Sequence, residues 1–174
     1  MKFDPVALGF EAVAPKFGDD VRLIGGFVGG PVAPPLPQGW MDVRLVVALP
    51  AERFAGLRSW RDSITMLVET PEGRTMQVTA RDVLTWGRMV LRGHGGTLAT
   101  ILRGHAIGDA RHLADLQSLA MRCINEETVS YFEALGQPTE SWHHWPQGTP
   151  ALSYRVQAME EWISECRRSG AEPR

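Results

Sequence analysis

The chain has 174 residues, of which 44% are hydrophobic and 22% charged, and this is the composition of an ordinary globular protein. Its formal net charge of −2 lacks the excess of lysine and arginine that a dedicated nucleic-acid-binding protein uses against phosphate. Its apolar runs are far shorter than the ~20 residues that span a bilayer, so we expect no transmembrane helix. The two cysteines, Cys123 and Cys166, fall on predicted buried helix faces, and we expect reduced thiols in a cytoplasmic protein.

The first forty residues predict a helix, a strand and an irregular connector. Asp4 followed by Pro5 is typical of a helix start, because the carboxylate caps free N–H groups and proline fits the first turn. Residues 21–28 predict a strand interrupted by glycines. Residues 29–39 contain four prolines, which remove hydrogen-bond donors and fix φ, so they are predicted to form a connector without regular structure.

The next segment predicts a buried strand, a helix and a β-hairpin. Residues 41–49 are the best strand candidate because they include a short continuous apolar run, and Pro50 begins a predicted helix. Residues 64–69 and 75–78 flank the sequence Thr-Pro-Glu-Gly, whose proline and glycine positions are typical of a type I turn. We therefore predict a hairpin at 64–78.

The remainder of the chain is predicted to be helical. Thr79 begins a sequence that resembles a capping box, and Asp109 and Asn125 are candidate N-caps. Two further helices are predicted to start at Thr97 and at Thr149. In the last helix, apolar residues recur at helical spacing and predict a buried stripe. The stripe consists of Leu152, Val156, Met159, Ile163 and Cys166.

Strands in the N-terminal half followed by helices in the C-terminal half predict an α+β fold. We expect a small antiparallel sheet, with the hairpin at about 64–78, packed against the helical C-terminal half. The length suits one buried core, so residues 1–174 are predicted to form a single globular domain. Within it, 29–39 is the connector and 171–174 is a frayed tail.

Three of the five histidines fall between residues 93 and 113. His105, Asp109 and His112 are spaced i, i+4 and i+7, and on a continuous helix they would share one face. Two imidazoles and a carboxylate suit zinc or ferrous iron. Two glycines interrupt such a helix, however, and Asp109 suits an N-cap. We therefore favour histidines that face solvent or support a cap, with the metal site as the alternative.

The same segment contains a glycine-rich loop around His94 that enters a predicted helix. Such a loop can expose backbone N–H groups to an anion. The lysine of a phosphate-binding P-loop is missing here. We interpret the glycines as conformational freedom in a tight connection.

Candidate binding residues come from a loop rich in tryptophan and histidine and from two arginines. Tryptophan and arginine are enriched where proteins contact one another. A lid of tryptophans over the helical core, with the histidines facing water, is the plainer interpretation of the loop. The candidates are Trp142, His143, His144, Trp145, Arg103 and Arg111.

The sequence contains no recognised catalytic motif. We predict a small soluble protein that acts by macromolecular binding, as an adaptor, an assembly component or an inhibitor-like partner of another protein, with no cofactor and no membrane contact. The first alternative is a metal- or His-dependent hydrolase, built from the 94–112 segment with His94, His105, Asp109 and His112. The second is association with nucleic acid through the arginines of 81–111.

Overall fold

The computed structural model describes residues 3–29, 36–55, 61–136 and 152–169. These residues form a five-stranded sheet, mostly from the N-terminal half, and six α-helices, mostly from the C-terminal half, which confirms the α+β class. The strands are β1 (Arg22–Val28), β2 (Met41–Ala48), β3 (Ser63–Glu69), β4 (Thr75–Asp82) and β5 (His105–Gly108). The helices are α1 (Pro5–Phe17), α2 (Val83–Leu91), α3 (Gly95–Arg103), α4 (Ala110–Arg122), α5 (Glu126–Ala134) and α6 (Leu152–Arg168), and a 3-10 helix spans Ala51–Phe54.

The sheet is mixed, with the strand order β3-β4-β2-β1-β5. Three neighbouring pairs are antiparallel, but β2 and β4 run parallel. The expectation of a wholly antiparallel sheet is wrong at this pair. After β2 the chain passes to the sheet edge to form β3, and the hairpin then returns β4 beside β2 in the same direction as β2.

The predicted hairpin is present as β3 and β4. Its turn is closed by Thr70, whose N–H donates to the Arg74 carbonyl at 2.8 Å, and by Gly73, whose N–H donates to the Thr70 carbonyl at 2.9 Å. Gly73 has φ of +73°, a conformation that favours glycine. The turn residues therefore fix this hairpin for the reason that the sequence indicated.

Apolar side chains cover both faces of the sheet. Along β2 they alternate: Val43 and Leu45 pack with α1 on one face, while Val46 packs with the other helices on the opposite face. Trp86 of α2 is fully buried on the face that carries Val46, and its Nε1–H donates to the Leu45 carbonyl at 3.0 Å. This bond joins the helical layer directly to the sheet.

Three helix starts show which capping signals were decisive. Asp109 and Asn125 cap α4 and α5 as predicted. The helix predicted from Thr79 begins later, because β4 continues to Asp82 and the Asp82 carboxylate accepts the Leu84 N–H at 2.8 Å. Asp82 is therefore the cap of α2.

The last helix buries most of its predicted stripe. Met159, Ile163 and Cys166 are buried, together with Trp162, which the stripe did not include. Leu152 is 59% exposed, so the expectation that it is buried is wrong. It is the first residue of α6, beyond the part of that helix that packs on the core.

None of the helices in the described ranges is both long and apolar enough to cross a membrane. Several predicted features fall elsewhere in the chain. Three of them lie outside the described residues: 30–35 of the connector, the helix start predicted at Thr149, and the tail at 171–174.

Candidate functional site

Charged and polar side chains gather where the middle of the sheet meets the first turn of α3, and we call this group the polar cluster. On β2 they alternate with side chains that pack under α1. The parallel partner β4 contributes at the same level, because Arg44 is in register with Thr79. The cluster consists of Asp42, Arg44, Thr79, Arg81 and His94.

Asp42 and Arg44 form the ion pair at the base of the cluster. Arg44 Nε donates to Asp42 Oδ2 at 2.8 Å, and the Asp42 side chain is only 3% exposed. Burial raises the pKa of Asp42 more strongly than the charges of Arg44 and Arg81 lower it. The second carboxylate oxygen, Oδ1, is buried without a hydrogen-bond partner among the described residues. The carboxylate therefore retains acceptor capacity that its surroundings do not use.

Arg81 brings a second guanidinium to the same place. It lies 5.9 Å from the centre of the Trp86 ring, a cation–π distance, and is half-buried. Burial and then the repulsion of Arg44 lower its pKa, and the attraction of Asp42 and Asp62 compensates only in part. Its Nη1 is buried and bonds to no atom of the described residues. Within the described residues, Arg81 therefore lacks an acceptor for one of its buried N–H groups.

His94 lies above these groups as the cap of α3. Its Nδ1 accepts the Thr97 N–H at 3.2 Å and lies 3.0 Å from the Thr97 hydroxyl. Partial burial lowers the pKa of His94, and the charges of Arg81 and Arg44 lower it further, while Glu127 opposes them. The charges of two guanidinium groups therefore act on the imidazole and disfavour its protonated form.

A close helix contact fixes the position of His94. A Cβ built on Gly95 would lie 2.3 Å from Tyr131 Cβ, so only glycine allows α5 to pack against the first turn of α3. The Thr128 hydroxyl of α5 also donates to the Gly93 carbonyl at 2.8 Å. The glycines around His94 thus serve a tight connection, as the sequence indicated, and that connection fixes the position of the His94 backbone at the start of α3.

The predicted metal ligands are divided between two elements. His105 lies exposed on β5, whereas Asp109 caps α4, with Oδ1 accepting the N–H groups of Arg111 at 3.1 Å and His112 at 3.0 Å. The His112 ring is buried and its Nδ1 lies 2.9 Å from Asp109 Oδ1. Within the described ranges, no three histidine, cysteine or acidic side chains gather closely enough to hold a metal ion.

The candidate binding residues are also dispersed. Arg111 pairs with Glu165 at 2.9 Å, beside a groove of about 260 Å³ between α4 and α6, and the Arg103 guanidinium lies 4.8 Å from the Phe132 ring. The arginines of 81–111 are distributed over β4, the α2 region, α3 and α4. Trp142, His143, His144 and Trp145 lie outside the described residues.

Sequence reasoning missed Asp42 and Arg44 and named Arg81 only for nucleic acid. A signal was present, because two charged residues interrupt an apolar strand at alternate positions. No protein-family model matches this chain, and no curated protein matches it in sequence. The function is therefore inferred from the chemistry of its own residues.

Proposed function

We propose that this protein acts by binding, and that the polar cluster recognises an oxyanion, a phosphate or carboxylate group, carried by its partner or ligand. Two guanidinium groups, an imidazole and one carboxylate lie near enough there for their charges to act on one another. Guanidinium groups suit oxyanions because their planar N–H groups match two oxygens at once. This extends the expectation of a binding protein to a defined chemical group.

The state of Arg81 carries the proposal. A half-buried guanidinium normally has an anionic or carbonyl partner for each buried N–H group, since an unsatisfied one costs about 1–3 kcal/mol. Arg81 Nη1 has none among the described residues, and burial together with the repulsion of Arg44 outweighs the attraction of Asp42 and Asp62. A bound oxyanion would supply the missing acceptor and offset the repulsion.

Asp42 adds a second feature of the ligand. Its Oδ2 orients Arg44, while its Oδ1 has an acceptor position that no described residue uses. A ligand that presents a hydrogen-bond donor, such as a hydroxyl or amide, next to its oxyanion should therefore bind more tightly than acetate, which has none. Chloride has no pair of oxygens to match a guanidinium group, so it should compete only weakly.

Calorimetric titration with inorganic phosphate, and separately with acetate, tests the proposal and distinguishes the two oxyanions. We expect Arg81→Gln to weaken the preferred anion about tenfold or more, the effect of losing one charge-assisted hydrogen bond. Arg88→Gln is the matched control, because Arg88 is an exposed arginine of α2 outside the cluster. It should change binding by less than about twofold.

Two results would overturn the proposal. One is that neither anion binds the wild-type protein with a dissociation constant below about 10 mM. The other is that Arg81→Gln and Arg88→Gln weaken binding equally, which would indicate a general charge effect. Asp42→Ala serves as a second variant. It removes the acceptor, so it should lower the affinity for glycolate, which carries a hydroxyl beside its carboxylate, relative to that for acetate, which has no donor.

A further inference from the structure

The outer edge of β3 presents backbone hydrogen-bonding groups that no described residue uses. The Asp62 carbonyl accepts the Asp82 N–H at 2.9 Å, and the Arg74 carbonyl accepts the Thr70 N–H at 2.8 Å, so the even-numbered residues bond to β4. In an antiparallel ladder the bonding direction alternates. The residues that point their N–H and carbonyl groups away from β4 are therefore Ser63, Thr65, Leu67 and Glu69.

In the part of the chain that the structure describes, this edge lacks the features that usually prevent strand pairing. Natural edge strands carry lysine, proline or a bulge, or are very short. β3 has seven residues, its pairing with β4 runs without a register shift, and its only charged residue is the terminal Glu69. Leu67, next to the centre of β3, is 54% exposed, and β3 is the last strand of the sheet within the described residues.

We propose that a second copy of this chain pairs with this edge, β3 against β3 in antiparallel two-fold symmetry. The four outward residues then form four pairs that exchange backbone bonds, with Ser63 opposite Glu69 and Thr65 opposite Leu67. The two Leu67 side chains lie diagonally across the axis, within reach of one another. The pairing covers the exposed leucine and joins the two sheets into one.

Charge along the strand selects this occupant over an unrelated strand. On the face that carries Leu67, the outer row begins with exposed Arg61 and ends with exposed Glu69. Within one chain these residues are about 26 Å apart along an extended strand, too far for an ion pair. In the antiparallel dimer, Arg61 of each copy lies diagonally beside Glu69 of the other. The charges of this row are therefore complementary to those of the same row in a second copy that runs antiparallel to it.

The molar mass of the full chain in solution, measured by light scattering over a concentration series, tests the proposal. We expect twice the chain mass of 19.2 kDa for the wild type and the single-chain mass for Leu67→Lys, because two lysines would meet across the axis. Met121→Lys is the matched control. Met121 is 53% exposed on α4, so the same change there should leave the dimer intact.

A charge exchange tests the orientation and does not depend on how Leu67→Lys folds. Arg61→Glu and Glu69→Arg should each raise the dimer dissociation constant several-fold, and the double variant should restore it. Two results would overturn the proposal. One is a wild-type protein that remains monomeric at chain concentrations up to about 1 mM, and the other is a dimer unaffected by Leu67→Lys and by both charge changes. None of these residues belongs to the polar cluster, so the result is independent of oxyanion binding.

Discussion

Arg167, near the end of α6, places Nη2 3.1 Å from Oδ1 of Asp82, the fully buried cap of α2. The same carboxylate accepts the Leu84 N–H at 2.8 Å and the Leu49 N–H at 2.9 Å, and Arg167 Nε donates to the Leu49 carbonyl at 3.2 Å. The end of β2, the start of α2 and the end of the last helix are thus joined at one carboxylate. The contact of α6 with the rest of the fold is therefore stabilised by these hydrogen bonds as well as by the apolar residues of the helix.

Removing the carboxylate should be more harmful than removing the guanidinium. Asp82→Ala leaves two buried N–H groups and a mostly buried arginine without an acceptor, and we expect a loss of about 3 kcal/mol or more. Arg167→Met leaves Asp82 with two backbone donors, so its loss should be about half as large. Urea denaturation of both variants measures the difference. Equal losses would show that Asp82 stabilises the fold only through Arg167.

The hairpin turn gives a second prediction, at Gly73. A Cβ there would meet no atom of the described residues within 4 Å, so among them the φ of +73° is the one obstacle to a side chain. Gly73→Val should therefore destabilise the protein by about 1–2 kcal/mol, the effect of forcing a β-branched residue into the left-handed region. Gly73→Asn is the control, because asparagine tolerates this conformation. If the two variants unfold at the same urea concentration, backbone conformation is not what limits this position.

The hairpin and most helix starts could be predicted because their signals are local. Proline and glycine mark the turn of β3 and β4, and a carboxylate or amide precedes α4 and α5. β5 was missed because it has only four residues and ends in glycine, and it exists through its pairing with β1. Pairing with a strand that is distant in sequence makes this segment extended, and no pattern within the segment itself predicts a strand.

The polar cluster could not be predicted for a related reason. Asp42 and Arg81 are distant in sequence, and only the parallel pairing of β2 with β4 brings them together. The sequence pattern favoured antiparallel strands and a helix that starts at Thr79. That prediction assigned Arg81 to a helix and not to the sheet. The local signal at His94 was interpreted correctly as a tight connection, but its neighbours come from strands 50 and 13 residues earlier, at Arg44 and Arg81.

The Asp109 cap gives a prediction with a defined pH dependence. The His112 N–H, which donates to the carboxylate, is the main cause that lowers the pKa of Asp109 below its ordinary 3.8. A lowered pKa in the folded state means that this stabilisation is present above pH 3.8 and is lost as the pH falls through the folded-state value. Asp109→Ala should therefore cost about 1 kcal/mol near neutral pH, and its difference from wild type should shrink in acid.

Asp115→Ala is the control for this pH dependence, since Asp115 is an exposed acid of the same helix without a capping role. Its effect on the free energy of unfolding should stay within about 0.5 kcal/mol. A difference between Asp109→Ala and wild type that stays constant from neutral pH to about pH 3 would contradict the assigned role of the carboxylate.

The pKa of His94 reports on the polar cluster without any ligand. Burial is the largest cause of its lowered pKa, followed by the charge of Arg81. Arg81→Gln should therefore raise the pKa of His94 towards the ordinary 6.5 without reaching it, because the burial remains. Arg88→Gln should leave it unchanged. NMR titration measures both, with a His94→Asn sample to identify the resonance.

An oxyanion in the cluster should act on His94 in the same direction as the loss of Arg81. Negative charge beside the imidazole favours the protonated form, so saturating phosphate or acetate should raise the pKa of His94 in the wild type. The rise should be smaller in Arg81→Gln, where the anion is held less tightly. A lowered folded-state pKa also means that the protein loses stability as the pH falls below 6.5, and a bound anion should reduce that loss. An anion that binds without moving the His94 resonance must lie elsewhere on the protein.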